Sequence, residues 1–270
     1  MNPWLETVAV IGLSFVGWVA GRACSNLPKP YWMLSYLVPL FVVFLIWLGH
    51  EDGGLEMVPP VSWVAAGRTK FVLSGFVAMM VLTIPVARVS SPRLRRLVWL
   101  FLLIFVASSC VWPFAASALN RDYLLSFKTR IDRDGVCRQS TDYNCGPAAA
   151  VTALHRLGVD AEEGKIAVAA HTNRAMGTPP TILFDTLREL FGKDGIVCEY
   201  RHFKDIPELR RAGLTIAVIK FGPLVDHYVT VLDVTDDRVI VGDPLDGKAE
   251  YSYDQFWKKW RRLGIVLRRQ

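Results

Sequence analysis

The sequence predicts an α+β domain preceded by a region of four transmembrane helices. Hydrophobic residues make up 52% of the 270 residues, and they concentrate in four blocks before residue 120. The second half instead alternates helix signals with β-rich runs. A chain of this length has room for a membrane region and one soluble domain, whereas a soluble core of this size does not have room for four such blocks.

The four apolar blocks differ in length. The second and fourth contain 19 and 23 residues without a charge, and a bilayer is crossed by about 20 apolar helical residues. The first and third are shorter and lie between charged residues. Since the first block has an acidic flank, it predicts a membrane helix and not a cleaved signal peptide. We expect a transmembrane region at 1–120 with spans at 7–21, 31–49, 71–87 and 97–119, a linker at 121–132 and a soluble domain at 133–270.

The charges around the spans bear on which side of the cell membrane the soluble domain occupies. Four spans put both termini on one side. The opposite side carries six basic residues, Arg22, Lys29, Arg88, Arg93, Arg95 and Arg96. The terminal side carries Arg68 and Lys70, so the positive-inside rule favours an extracytoplasmic domain. Four more basic residues follow the last span, Arg121, Lys128, Arg130 and Arg133. When these are counted the two sides are nearly equal, and the side stays open.

Net charge restricts the partners of the soluble half. Residues 121–270 hold 23 basic and 21 acidic residues, so composition gives no support for nucleic-acid binding. The tail is locally basic, with Lys258, Lys259, Arg261, Arg262, Arg268 and Arg269. These side chains form either a solvated face or a surface for anionic lipid head groups, and membrane lipid is therefore an expected partner.

The cysteines and the glycine-rich stretches predict no cofactor. Five cysteines are spaced unlike a zinc site or a dense disulfide framework, so we expect no metal. A disulfide bond between Cys137 and Cys198 would form only outside the cytoplasm. The segment "GVDAEEGKI" at 158–166 has the wrong spacing for a phosphate-binding loop, so we expect no ATP.

The segment "QSTDYNCGPAAA" at 139–150 carries the strongest chemical signal. Pro147 is typical of a first helical turn, so Cys145 stands at the start of a helix, where the N–H groups favour a thiolate. We expect Gly146 and the following alanines to allow a substrate close approach, and Gly146 is a candidate substrate-binding residue. The alternative is a buried, inert cysteine.

A nucleophilic cysteine needs a base and a group that orients the base. His227 opens the strand "HYVTVLDV", whereas His155 lies ten residues along the cysteine's own helix, about 15 Å away. Asp243 ends the second strand of a hairpin and returns toward His227. Asp226 is expected to face the other side of the strand, and Asp233 is about 20 Å from the histidine. We therefore expect His227 and Asp243 to act together.

Gln139 precedes Cys145 by six residues. A side-chain amide at that point has the chemistry to donate a hydrogen bond to an oxyanion. A glutamine of no further role, exposed on the surface, is the alternative.

These segments together resemble the double-glycine (bacteriocin) leader peptidases, a family of papain-like cysteine peptidases that trim leader peptides. The resemblance rests on "QSTDYNCGPAA", on "HYVTVLDV" followed by "VIVGDPLDG", and on "YDQFWKKW", and it covers about residues 133–269. It implies a papain-like fold with Cys145 as nucleophile, His227 as general base and acid, Asp243 as orienting residue and Gln139 as oxyanion donor. Asn144 departs from the family, which often has an acidic residue there.

The resemblance also sets the expected function. Many members of the family are fused to an ATP-driven exporter, but this chain offers four spans and no phosphate-binding loop. We expect a membrane-anchored cysteine endopeptidase, a hydrolase that cuts a leader or precursor peptide after small residues of the Gly-Gly type, with a separate export system as a further partner. Two alternatives stay open: a catalytically silent peptide-binding module of a secretion system, and a cysteine acyltransferase.

Overall fold

A computed structural model of the chain describes residues 3–51, 53–65, 67–86, 88–222 and 225–270. The chain forms two compact units, one within residues 1–119 and one that contains Asn120–Gln270. The final residue of the third expected span, Ala87, lies outside the described residues.

The first unit is helical. Its helices are α1 (Pro3–Ser25), α2 (Tyr31–Leu34), α3 (Leu37–Glu51), α4 (Val61–Ala65), α5 (Thr69–Val86), α6 (Pro92–Val106) and α7 (Trp112–Leu119). A π-helical turn, Ala107–Val111, joins α6 to α7. Among the described residues, four stretches are long and apolar enough to cross a membrane: Trp4–Ser25, Tyr31–Glu51, Thr69–Val86 and Pro92–Leu119. This agrees with the expected fold class.

Small residues bring α1 and α5 close together. Side chains added at Gly17 and Gly21 would meet the main chain of α5, and one added at Gly75 would meet Val10 on α1. Such small-residue contacts let two apolar helices pack backbone to backbone, which is a common way for helices to associate in a membrane.

The second unit combines helices with an antiparallel sheet. Its helices are α8 (Arg121–Leu125), α9 (Cys145–Arg156), α10 (Glu163–Ala169), α11 (Pro180–Phe191), α12 (Ile206–Ala212) and α13 (Tyr253–Lys259). Its strands are β1 (Arg130–Ile131), β2 (Cys137–Arg138), β3 (Ile196–His202), β4 (Thr215–Gly222), β5 (Val225–Val234), β6 (Arg238–Asp243), β7 (Gly247–Ser252) and β8 (Trp260–Arg269). The stretch 121–132, expected as a linker, thus carries α8 and β1.

Six strands form one sheet in the order β3-β8-β4-β5-β6-β7, and all neighbours are antiparallel. Strand β4 is central, and its side chains alternate between two cores. Ile216 and Val218 pack with α9 and α11 on one face, while Ala217 and Ile219 pack with α12 and α13 on the other. Because both faces are covered, the strand appears in the sequence as an unbroken apolar run.

Buried hydrogen bonds join α9 to strand β5 of this sheet and to strand β2 of the separate two-stranded sheet. Thr230 on β5 donates to the Ala149 carbonyl at 2.8 Å, and the Cys137 backbone N–H donates to Thr152 at 2.9 Å. The alanines of α9, Ala148 through Ala150, have no exposed surface and belong to the core. The expectation that these alanines allow a substrate close approach is wrong, because they pack inside the core between α9 and its neighbours.

The α+β fold class is confirmed, while some elements were absent from the expectation. Strand β3 follows a helix directly and contains only a short apolar run, and β7 "GKAEYS" is largely polar because it is an edge strand. Helix α10 has seven residues, too few for a visible helical period. The basic tail forms much of β8, and within it Arg261 is buried and bonded to Asp226 at 2.8 Å.

Candidate active site

Cys145 is the first residue of α9. The first backbone bond into the helix runs from Ala148 N–H to the Asn144 carbonyl at 3.1 Å, and Pro147 has no N–H. The N–H groups of Cys145 and Gly146 therefore precede the intrahelical hydrogen bonds. The thiol, 9% exposed, lies at a helix end that favours negative charge.

His227 and Asp243 are brought together by the hairpin of β5 and β6. Thr230 pairs with Gly242 across the two strands, which puts Asp243 diagonally opposite His227. The His227 Nε2 and Asp243 Oδ1 atoms are 2.8 Å apart, and both residues are 4% exposed. Asp243 Oδ1 also accepts the Leu245 backbone N–H at 2.8 Å, so the carboxylate is fixed from two directions.

Cys145 completes this row of groups. Because Nε2 of His227 is used by Asp243, Nδ1 is the ring nitrogen that remains for the sulfur, which hydrogen-bonds with the ring. Burial opposes the charged ring, but the bonds with Asp243 and Cys145 outweigh it and raise the pKa of His227 to about 9. Burial likewise opposes the charge of Asp243, yet the bond with His227 and the nearby backbone N–H groups keep the pKa of this carboxyl below its usual value. At neutral pH an imidazolium therefore lies between a carboxylate and a sulfur.

Phe221 is a neighbour of His227 that the sequence analysis missed. The two ring centroids are 5.4 Å apart with 44° between the planes, and Phe221 is 65% exposed. Ile219 on β4 pairs with His227 on β5, and Phe221 lies two residues further along β4. The signal in the sequence was therefore an aromatic residue just after the buried part of β4. The ring covers part of the imidazole from solvent and presents an apolar surface beside it.

Gln139 lies next to the turn that follows Asp243. Its backbone N–H donates to the Pro244 carbonyl at 3.0 Å, and its side-chain Nε2 donates to the Thr141 carbonyl at 2.7 Å. The Oε1 atom is buried and has no hydrogen-bond partner among the described residues. One N–H of the amide is thus used to hold the side chain against the segment before Cys145.

Glu163, also missed in the sequence, joins the two ends of the segment that leads to Cys145. It begins α10 and has no exposed surface. Oε1 accepts from the Ser140 backbone N–H at 2.8 Å and from Asn144 Nδ2 at 2.6 Å, and Oε2 accepts from the Ser140 hydroxyl at 2.6 Å. The only sequence signal was an acidic residue in a glycine-containing stretch, which gives no hint of this arrangement.

Gly146 is buried, and its missing side chain faces protein atoms. A Cβ built there would lie 3.1 Å from Thr178 Cβ and 3.5 Å from Leu183 Cδ2. A methyl group at this position would therefore pack tightly against the loop before α11. Its backbone N–H stays at the helix end beside the sulfur.

Two other cysteines of the second unit, Cys137 and Cys198, are free thiols, and burial raises their pKa values to about 12 and about 11, respectively. In the ranges that the structure describes, no group of three or more His, Cys, Asp or Glu side chains is arranged to hold a metal ion.

A cysteine at the start of a helix, packed on an antiparallel sheet that presents a histidine and an aspartate, defines the papain-like class of cysteine peptidase folds. The model of the peptidase C39 family matches residues 133–270. The chain belongs to the peptidase C39 family, and the resemblance predicted from the sequence is confirmed.

Two archaeal proteins are similar to the same half of the chain. A protein of Methanothermobacter marburgensis is 29% identical over 147 residues, which cover 54% of this chain and 97% of that protein. A protein of Methanothermobacter thermautotrophicus is 27% identical over 141 residues, which cover 52% of this chain and 93% of that protein.

Among solved structures, the peptidase domain of Streptococcus ComA, a bi-functional ABC transporter, is 22% identical with a TM-score of 0.45 and covers 51% of this chain and 100% of that domain. A double glycine motif protease from an AMS/PCAT transporter is 14% identical with a TM-score of 0.44, covering 54% and 96%.

Proposed function

We propose that the chain is a membrane-anchored cysteine endopeptidase that cleaves a leader or precursor peptide after small residues of the Gly-Gly type. The observation that carries the proposal is the row Cys145, His227 and Asp243, in which a 2.8 Å hydrogen bond holds the imidazole against a sulfur at a helix start. A pure peptide-binding module needs neither the base nor its orienting carboxylate.

In this proposal the Cys145 thiolate attacks the carbonyl carbon of the scissile peptide bond. The carbonyl π electrons move to oxygen, and the oxyanion accepts hydrogen bonds from the second N–H of the Gln139 amide and from the backbone N–H of Cys145. The His227 imidazolium then gives its Nδ1 proton to the leaving nitrogen, the C–N bond breaks, and a thioester forms. His227, now neutral, takes a proton from water, which attacks the thioester and releases the acid and the thiolate.

The substrate class comes from the family resemblance, and two features of the site suit it. Phe221 provides an exposed apolar surface next to His227. Gly146 directly follows Cys145 at the start of α9 and is the proposed contact for the substrate backbone.

The first test uses the full-length protein in detergent micelles and a synthetic leader peptide that ends in Gly-Gly before its cargo. We expect one cut after Gly-Gly, seen by mass spectrometry, and no cut in a matched peptide with Leu-Leu at that point. The variant Cys145→Ala controls for contaminating peptidases. Binding without cleavage by the wild type would support a silent peptide-binding module instead, and transfer of the leader to an added amine in place of water would support an acyltransferase.

The four apolar helices support anchoring in the cell membrane, and we propose that the peptidase domain lies outside the cytoplasm. In the loops between the spans, six basic residues on the opposite side stand against Arg68 and Lys70 on the terminal side. This bias favours the opposite side being cytoplasmic. Precursor peptides would then reach the domain during or after passage through a separate export system.

Reporter fusions test this orientation. Alkaline phosphatase fused after Gln270 is expected to be active and green fluorescent protein at the same point to be dark. The matched control is a truncation fused in the loop after Arg88, where the two reporters are expected to exchange their behaviour. Fluorescence from the fusion after Gln270 would place the domain in the cytoplasm.

A further inference from the structure

We propose that Glu163 is a positioning residue that sets the separation between the oxyanion donor Gln139 and the nucleophile Cys145. The inference rests on the proposed function, since it assigns Glu163 a part in the same reaction. Glu163 touches neither the substrate nor the reacting atoms. It acts through the segment 139–145, called here the nucleophile loop.

The carboxylate binds the nucleophile loop at both of its ends. Ser140 follows Gln139 and gives Glu163 two hydrogen bonds, at 2.8 Å from its N–H and 2.6 Å from its hydroxyl. Asn144 precedes Cys145 and gives one at 2.6 Å. One carboxylate group therefore fixes the residue next to the oxyanion donor and the residue next to the nucleophile, across the three residues between them.

Glu163 and Gln139 are themselves anchored elsewhere. The Glu163 backbone N–H donates to Thr129 Oγ1 at 2.9 Å, so the start of α10 is fixed. The Gln139 backbone N–H is held by the Pro244 carbonyl, directly after Asp243. Hydrogen bonds thus hold the nucleophile loop to α10 on one side and to the turn after the orienting aspartate on the other. Both contacts determine the position of the loop.

The chemistry of the cluster explains why a carboxylate stands at this position. Three donors converge on one side chain, and an ionised carboxylate is an acceptor at all of its lone pairs. Hydrogen bonds to such a group are short and directional, as the distances here are. Among the described residues no ion pair to Glu163 occurs, and burial of a carboxylate without a cation is costly. The two oxygens of this one side chain accept all three hydrogen bonds, and this geometry points to a role in placing the loop.

Kinetics of the full-length protein with the Gly-Gly leader peptide test the proposal. The variant Glu163→Ala releases both ends of the loop, and we expect kcat to fall about 10²-fold with KM nearly unchanged, as for a misplacement of about 1 Å. In a Gln139→Ala background the same change should cost much less, because one of the two groups whose separation Glu163 sets is gone. A residue with a merely structural role would instead give losses that multiply in the double variant.

A conservative variant separates position from charge. In Glu163→Gln the amide oxygen still accepts from the Ser140 N–H and from Asn144 Nδ2, and the amide NH2 group donates to the Ser140 hydroxyl. We expect this variant to keep kcat within about fivefold of the wild type, since a neutral group that preserves all three bonds preserves the loop. A loss equal to that of Glu163→Ala in a folded protein would overturn the proposal.

Two further measurements complete the test. Asp205→Ala is the matched control, because that carboxylate caps α12 through the Glu208 N–H at 2.7 Å, and its loss should lower the melting temperature without lowering kcat. If Glu163→Ala does not fold, Ser140→Ala replaces it in the cycle with Gln139→Ala. If the kcat losses of Ser140→Ala and Gln139→Ala multiply fully in the double variant, the proposal is overturned.

The nuclear magnetic resonance signal of the Gln139 side-chain amide provides a readout that needs no cleavage. It should shift in Glu163→Ala and stay in place in Glu163→Gln. If the wild type does not cleave but the signal shifts, the peptidase assignment fails and the positioning geometry stands. If the wild type cleaves and the signal does not respond to Glu163→Ala, the positioning role is the part that fails.

Discussion

The two halves of the site are held in place by different kinds of interaction. On one side, His227 and Asp243 belong to adjacent strands, and the backbone ladder between β5 and β6 fixes their relative register. On the other side, Gln139 and the approach to Cys145 lie on a loop, held by the carboxylate of Glu163 and by two contacts with the turn after Asp243, from Gln139 N–H to Pro244 and from Arg138 to the Leu245 carbonyl.

The geometry of the sheet side should therefore tolerate single substitutions better than that of the loop side. The strands β5 and β6 are held together by many backbone hydrogen bonds, so the loss of one side chain leaves the strands in register. The loop depends on few side chains, so the loss of one of them changes geometry without unfolding the domain. We therefore expect substitutions on the sheet side to act through chemistry, and substitutions that support the loop to act through position.

The largest effect is expected on the sheet side, from Asp243→Asn. The substitution keeps the shape of the side chain but removes the charge that stabilises the imidazolium, and kcat should fall about 10³–10⁴-fold, as in triads that lose their carboxylate. Asp226→Asn is the matched control, since that carboxylate is next to His227 in sequence but bonds Arg261. We expect a loss below tenfold for the control. Equal losses in the two variants would show that Asp243 has no special relation to the ring.

The next effect lies on the loop side, from Gln139→Ala. Loss of one oxyanion donor costs about 10²–10³ in kcat, or roughly 3–4 kcal/mol. Alkylation of Cys145 by iodoacetamide should stay near normal, because that reaction forms no oxyanion, and the melting temperature should not change. Gln255→Ala, which removes a glutamine from the cap of α13, is the control. Wild-type turnover in Gln139→Ala would contradict the oxyanion role, and a parallel fall in alkylation would mean that Gln139 supports the thiol.

The same contrast explains how much of the site was visible in the sequence. Local patterns determine the sheet side: an alternating strand begins at His227, a turn follows, and a second strand ends at Asp243. Antiparallel pairing then brings the two ends together without further information. The helix start at Cys145 is equally local, since glycine and proline mark it.

The loop side was not visible because its contacts are distant in sequence. Glu163 is 23 residues from Ser140 and 19 from Asn144, and its partners are ordinary polar residues without a pattern. The alanines of α9 show a related limit. Small size was visible, but whether it serves a substrate or a neighbouring strand depends on which face the sheet covers. Strand β7 was missed because an edge strand with one solvated face has few apolar residues.

A smaller effect concerns the thiols. Alkylation requires a thiolate, and burial raises the pKa of Cys198 to about 11 and that of Cys137 to about 12. In the native protein at pH 7.5, iodoacetamide should label Cys145 at least tenfold faster than Cys198, as measured by mass spectrometry of peptide digests over time. Denatured protein is the control, in which the rates should converge. Equal native rates would remove the case for an activated thiol at the start of α9.

The smallest effect is the pH dependence of stability that the sheet side confers through His227. Its pKa is about 9 in the folded protein and about 6.5 when unfolded, so the folded state binds the proton more tightly. The resulting stabilisation is fully present below about pH 6.5 and is lost as the pH rises through about 9. It amounts to at most about 3.5 kcal/mol at roughly 1.4 kcal/mol per pH unit, which corresponds to roughly 10 °C in melting temperature. The melting temperature of the wild type should therefore exceed that of His227→Gln by a margin that shrinks between pH 6.5 and pH 9.

His155→Gln, which replaces an exposed histidine on α9, is the control. The difference in melting temperature between the wild type and this variant should not shrink over the same pH range. For His227→Gln, a margin that stays constant or grows with pH would mean that the ring is neutral in the folded protein, and the sheet side would then hold a hydrogen-bonded histidine and not a charged one.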